Sequence, residues 1–111
     1  VTLEDFERQV AEACAASPIV AGISVVNAGL TWITLRAHLM DGTFVDAFFN
    51  EATGRTAFAL IADDKRIFGA DNTDRWHWHP FAAPESHVPA SGPIAFQDFL
   101  KEIETQRHPD G

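Results

Sequence analysis

Leu3, Phe6, Val10, Ala13, Cys14 and Ser17 recur at three- and four-residue steps, so the first seventeen residues predict a helix with one small, apolar face. Thr2 is placed to cap it, with Asp5 in the capping-box position and Val1 able to staple onto Phe6. Glu4, Asp5 and Glu7 suit the positive end of the helix dipole. Ser17-Pro18 ends the pattern, because a residue before proline avoids helical backbone.

The pattern then changes to short, β-branched and aromatic runs separated by turn residues. Five strands are predicted: Ile19–Asn27, Leu30–Met40, Thr43–Asn50, Thr56–Ala62 and Lys65–Ala70. Asn27-Ala-Gly29, Asp41-Gly42, Asn50-Glu-Ala-Thr-Gly54 and Asp63-Asp64 mark the turns between them. Connections this short force antiparallel neighbours, since a parallel pair needs a crossover of about a dozen residues. Read as a two-residue hairpin turn, Asp41-Gly42 sets Met40 opposite Thr43. In that register Ile33, Leu35, Ala37, Leu39, Phe44 and Phe48 share the face that packs on the helices, and Asp46 falls among them. Trp32, Thr34, Arg36, His38, Thr43 and Val45 take the other face. A slip of one residue would exchange these faces.

No period runs through residues 71–92, where Pro80, Pro84 and Pro89 indicate an extended loop. Helical spacing returns near the end with Phe96, Phe99, Leu100 and Ile103, and Pro93 is tolerated close to a helix start. The expected architecture is one α+β domain over residues 1–111. It comprises a helix (1–17), a five-stranded antiparallel meander (19–70), a Trp/His/Pro loop (71–92) and a second helix (93–107) packed on the sheet, before a frayed tail that includes His108.

Composition narrows the function classes. Hydrophobic residues at 46% and charged residues at 22% describe a globular chain rather than a disordered one. No apolar run reaches the length of a membrane span, and the N-terminus lacks the regions of a signal peptide, so a cytoplasmic location and no membrane partner are expected. The net charge of −8 repels nucleic-acid phosphates at long range. An RNA-directed role therefore needs a local cluster, for which Arg36, Arg55, Arg66 and Arg75 are available. The lone Cys14 excludes an internal disulfide and is expected to be an inert buried thiol.

The chemistry concentrates in Gly69-Ala-Asp-Asn-Thr-Asp-Arg-Trp-His-Trp-His-Pro80. His77 and His79 are two apart, which in extended backbone directs both rings to one side. With His87 they offer a metal-ligand set. They equally suit a metal-independent ribonuclease site, requiring no cofactor. In that case His77 and His79 form the acid/base pair, Asp46 or Asp71 orients a ring, and Arg66 holds a phosphate. Trp76 and Trp78 could then stack on bases, with Arg75, Asn72 and His87 as further substrate contacts. The plainer alternative is packing, in which tryptophans beside prolines close the end of a sheet and histidines bond loop carbonyls. Asp71-Asn72 after a strand is also a common turn-former.

The string from Arg66 to Pro80, followed by His87-Val88, resembles the TumE-like family of toxin–antitoxin components. That resemblance implies a small α+β toxin held inactive by a cognate antitoxin protein, with RNA as the substrate class. Asp46, Arg66, Asp71, Asn72, His77, His79 and His87 fall on the family-like pattern. The tryptophan-rich loop and Gly69-Ala70 depart from it. A non-enzymatic module that binds a basic protein through the acidic surface and the Trp/His loop is the other expectation. An exposed edge strand would also allow a homodimer.

Overall fold

Two helices cover one face of a seven-stranded antiparallel sheet in the computed structural model, which describes residues 1–107. The helices are α1 (Leu3–Ala16) and α2 (Phe96–Arg107). The strands are β1 (Val20–Ala28), β2 (Trp32–Leu39), β3 (Phe44–Asn50), β4 (Thr56–Ala62), β5 (Lys65–Asp71), β6 (His77–His79) and β7 (Val88–Pro89), and they lie side by side in chain order. The expected α+β class holds, with a helix at each end of the meander. The strand count is seven rather than five, because residues 71–92 contribute two short strands of their own. His108 lies outside the described residues.

Both predicted helices form, although α2 starts at Phe96 rather than at Pro93. Thr2 Oγ1 accepts the Asp5 N–H at 3.1 Å, and the Thr2 N–H donates to Asp5 Oδ2 at 3.0 Å, closing the capping box. Val1 stays exposed, so the staple onto Phe6 adds little. Phe6, Val10 and Cys14 are buried on α1, and Phe96, Phe99, Leu100 and Ile103 on α2. Helix α1 lies against β1–β3. Helix α2 covers the later strands, with the Phe99 ring stacked 4.9 Å from Phe68 and tilted against Phe58 at 5.5 Å. Burial leaves Cys14 without water to solvate a thiolate, and its pKa is pushed up to about 11.

The register of β2 and β3 corrects one expectation. Arg36 lies opposite Asp46 and His38 opposite Phe44, one residue away from the register of a two-residue turn. The turn is longer: the Leu39 N–H donates to Thr43 O, the Gly42 N–H donates to Leu39 O, and Gly42 adopts φ 91°. A glycine in the left-handed region at the end of a three-residue loop is a familiar hairpin closure. The faces of β2 are as expected, with Ile33, Leu35, Ala37 and Leu39 in the core, but those of β3 are exchanged. Val45, Ala47 and Phe49 face the helices, whereas Phe44, Asp46 and Phe48 take the outer face. The hairpin turn that has two residues is Asp63-Asp64, between Ala62 and Lys65, with φ of 51° and 62°.

Position in the pleat then decides what each face carries. On β4 and β5, Phe58, Leu60, Phe68 and Ala70 enter the core, leaving Ala57, Ala59, Gly69 and Asp71 on the outer face. Leu60 pairs with Phe68 and Ile61 with Arg66, so Ile67 is the extra residue of a bulge. That single insertion turns Arg66 onto the same face as Asp71.

Candidate histidine centre on the outer face of the sheet

Strand β6 is only three residues long, yet it separates two kinds of side chain. His77 pairs with Asp71 and His79 with Gly69, which places both rings on the outer face. Trp78 points to the helices and stacks on Phe68 at 5.6 Å, and Trp76 stacks on Phe58 at 6.0 Å. Both tryptophans are thus committed to packing against the core, consistent with the plainer reading of them, and neither lines the cleft that contains the histidines.

The turn between β5 and β6 is tightly tied. Asp71 Oδ1 accepts the Thr73 N–H at 3.0 Å, and the Arg75 N–H donates to Thr73 O at 2.8 Å, closing a turn around Asp74. Asp74 has φ 67°, a conformation uncommon for any residue but glycine. Asn72 is occupied structurally: its Oδ1 accepts the Thr56 N–H, and its amide donates to Gly54 O. Gly69 gives the His79 ring its space. A Cβ there would sit 3.2 Å from Phe58 O, 3.1 Å from the Arg66 side chain and 3.5 Å from the His79 ring.

His87 arrives by a different route. The chain leaves β6 at Pro80 and returns as β7, which pairs His77 with Pro89 and Trp78 with Val88. Arg66 holds this excursion by donating to Pro84 O at 3.1 Å. Pro89 is tolerated because β7 is the edge of the sheet. The outcome is a triangle of imidazoles, with ring centroids 4.9 Å apart for His77–His79 and 4.7 Å for each pair involving His87. One ligand nitrogen from each ring lies within 4.8 Å of the others.

Hydrogen bonds fix how the two buried rings present themselves. The Nδ1–H of His77 donates to Arg75 O at 2.9 Å, leaving Nε2 as the nitrogen with a lone pair. His79 donates through Nε2 to Asp71 Oδ2 at 2.9 Å, which leaves its Nδ1. His77 Nε2 is 3.2 Å from Asp71 Oδ1, but the ring is not aligned for a hydrogen bond. His77 Nε2 and His79 Nδ1 are therefore buried nitrogens without a hydrogen-bond partner. Burial alone would raise the Asp71 carboxyl. Hydrogen bonds from the His79 ring and from the Thr73 N–H and hydroxyl, with the His77 ring beside it, hold it below the ordinary carboxylate range instead.

The surrounding cleft has a volume of about 590 Å³ and opens to solvent. Of the residues expected at a site, the fold brings Arg66, Asp71, Arg75, His77, His79 and His87 to this cleft. It does not bring Asp46, Asn72, Trp76 or Trp78. Asp46 accepts from Arg36 Nε at 2.8 Å and from a second guanidinium nitrogen at 3.1 Å, and Arg36 also lies over the Phe44 ring. Asp46 shares the outer face with His79, but three strand spacings, roughly 14 Å, separate the two rows. It cannot orient that ring. Thr73, Asp74 and Pro89 line the cleft without having been singled out in the sequence.

The chain has no significant match among known protein-family models, characterised proteins or solved structures. Among the described residues, no helix is long and apolar enough to cross a membrane.

Proposed function

We propose that this domain binds a divalent transition-metal ion through His77, His79 and His87, with a coordination position left open to water or substrate. The observation that carries the reading is the pair of buried nitrogens without a hydrogen bond, His77 Nε2 and His79 Nδ1, inside a three-imidazole cluster. A buried polar atom without a partner costs about 1–3 kcal/mol, and a metal ion is a partner for a lone pair where a donor is lacking. Each of these rings donates its other nitrogen to an oxygen, Arg75 O for His77 and Asp71 for His79. That is the arrangement by which proteins fix the tautomer of metal-binding histidines and raise their basicity. Three imidazoles suit zinc, cobalt, nickel or copper rather than magnesium or calcium, and three protein ligands leave a place for the water of a hydrolytic centre.

The test is metal content. Protein reconstituted with zinc and desalted should carry one ion per chain by elemental analysis, and the His77→Ala, His79→Ala double variant should carry none. Wild-type protein that retains no transition metal would sink the reading.

A second reading rests on the His79–Asp71 bond with Arg66 on the same cleft: a metal-independent acid/base pair acting on RNA. It accords with the TumE-like resemblance, in which such an activity would be silenced by an antitoxin. The two readings separate cleanly. RNA cleavage that persists in excess chelator and disappears in the double variant favours the second, and cleavage restored only by zinc or cobalt favours the first.

A further inference from the structure

The cleft is lined by two arginines that form no ion pair among the described residues. Acidic side chains outnumber basic ones by sixteen to eight, so an arginine here has many carboxylates available to it. Arg8 pairs with Asp5 and Arg36 with Asp46. Arg66 and Arg75 form no ion pair among the described residues, although both line the cleft of the imidazole triangle, and Asp74 lines it too. Arg66 spends one donor on Pro84 O, and that bond anchors its guanidinium beside the site.

Resting on the metal reading above, we infer that the substrate is a small phosphorylated molecule bound as a phosphate dianion. One phosphate oxygen would occupy the open position on the ion, and Arg66 and Arg75 would take the remaining oxygens. Charge leads to this class. A divalent ion on three neutral imidazoles, with two arginines set against Asp71 and Asp74, leaves the cleft at a formal charge of plus two. A phosphate monoester matches that charge, and guanidinium forks match its oxygen geometry. A cleft of about 590 Å³ is the size of a small-molecule site. The net charge of −8 disfavours a long polyanion such as RNA at the same place.

Cobalt-loaded protein provides the experiment, because the visible absorption of the ion reports a change in its ligands. Inorganic phosphate should perturb the spectrum saturably, and acetate should bind at least about tenfold more weakly. The Arg75→Gln variant, which leaves the Arg66–Pro84 bond in place, should keep its cobalt and bind phosphate about tenfold more weakly. Cobalt uptake with a spectrum indifferent to phosphate overturns this inference and leaves the metal centre standing. Equal binding of phosphate and acetate, or phosphate binding unchanged in the Arg75→Gln variant, overturns it too. A single-stranded RNA that displaces phosphate at lower concentration would replace the small-molecule assignment with a nucleic-acid one. No cobalt uptake removes both the centre and its substrate.

Discussion

Loading the histidine centre should stabilise the whole domain, and the size of the effect is set by how far the ion concentration exceeds its dissociation constant. Without a ligand, the folded chain keeps His77 Nε2 and His79 Nδ1 out of water without a hydrogen bond, the former with Asp71 Oδ1 3.2 Å away. At about 1–3 kcal/mol each, that is a penalty of roughly 2–6 kcal/mol, a large share of the 5–15 kcal/mol typical of a domain. Coordination removes it only in the folded state, because His87 joins His77 and His79 only when β7 is paired to β6. By linkage, an ion at about a hundred times its dissociation constant adds about 2.7 kcal/mol. For a domain of this size that corresponds to a rise of about 10 °C in the thermal midpoint. Thermal melts followed by circular dichroism would measure it, with zinc or cobalt against chelator. Magnesium, which prefers oxygen ligands, should produce no shift. The His77→Ala, His79→Ala variant should melt at one temperature whatever ion is present. Wild-type melts that superimpose with and without zinc would refute the reasoning, since a ligand confined to the native state must move the midpoint.

Other substitutions probe the supports of the site and of the fold. Asp71→Asn should weaken metal affinity about 10–100-fold while the ligands remain, as measured by competition with a chromophoric chelator. Phe99→Ala empties a site with no solvent exposure between Phe58, Phe68 and Trp78, and should cost about 3–5 kcal/mol in denaturant unfolding. Asp46→Asn, by contrast, should leave metal uptake unchanged and alter stability by less than about 1 kcal/mol, because its pair with Arg36 is partly exposed. Cys14, with a pKa raised to about 11, should react with iodoacetamide at pH 8 roughly a hundredfold more slowly than a free thiol. The sign for stability follows from the same shift. The folded thiol holds its proton more tightly than the unfolded one, so its contribution is complete below the unfolded pKa and is lost as pH rises towards about 11. Cys14→Ala should flatten that part of an alkaline stability profile.

Much of the architecture was legible because it depends on local chemistry and simple periods. The capping box at Thr2, the 3.6-residue face of α2 and the Asp63-Asp64 turn each follow from a few neighbouring residues. So does the clustering of His77 and His79, since alternation along extended backbone places them together even in a strand of three residues. What stayed hidden turned on single-residue counts. Asp41-Gly42 is compatible with a two- or a three-residue loop, and the longer one carried Asp46 out of the core and into its pair with Arg36. The bulge at Ile67 leaves no mark in composition, yet it decides which face Arg66 occupies. Residues 80–87 show no periodicity, so the return that sets His87 against the other two rings lies in tertiary pairing. The tryptophans were open to two readings, stacking on bases or packing at the sheet end, and they alternate with the histidines. That same alternation is what sends them into the core.

Strands β6 and β7 are three and two residues long and form one margin of the sheet. His87 sits just ahead of the two-residue β7, so its ring should be able to leave the set while α1, α2 and the first five strands remain folded. The rate at which a bound ion leaves should therefore follow the fraying of this margin rather than the unfolding of the domain. An ion bound tightly at equilibrium would still exchange quickly, and a substitution that lengthened the β6–β7 pairing would slow its release without changing a single ligand.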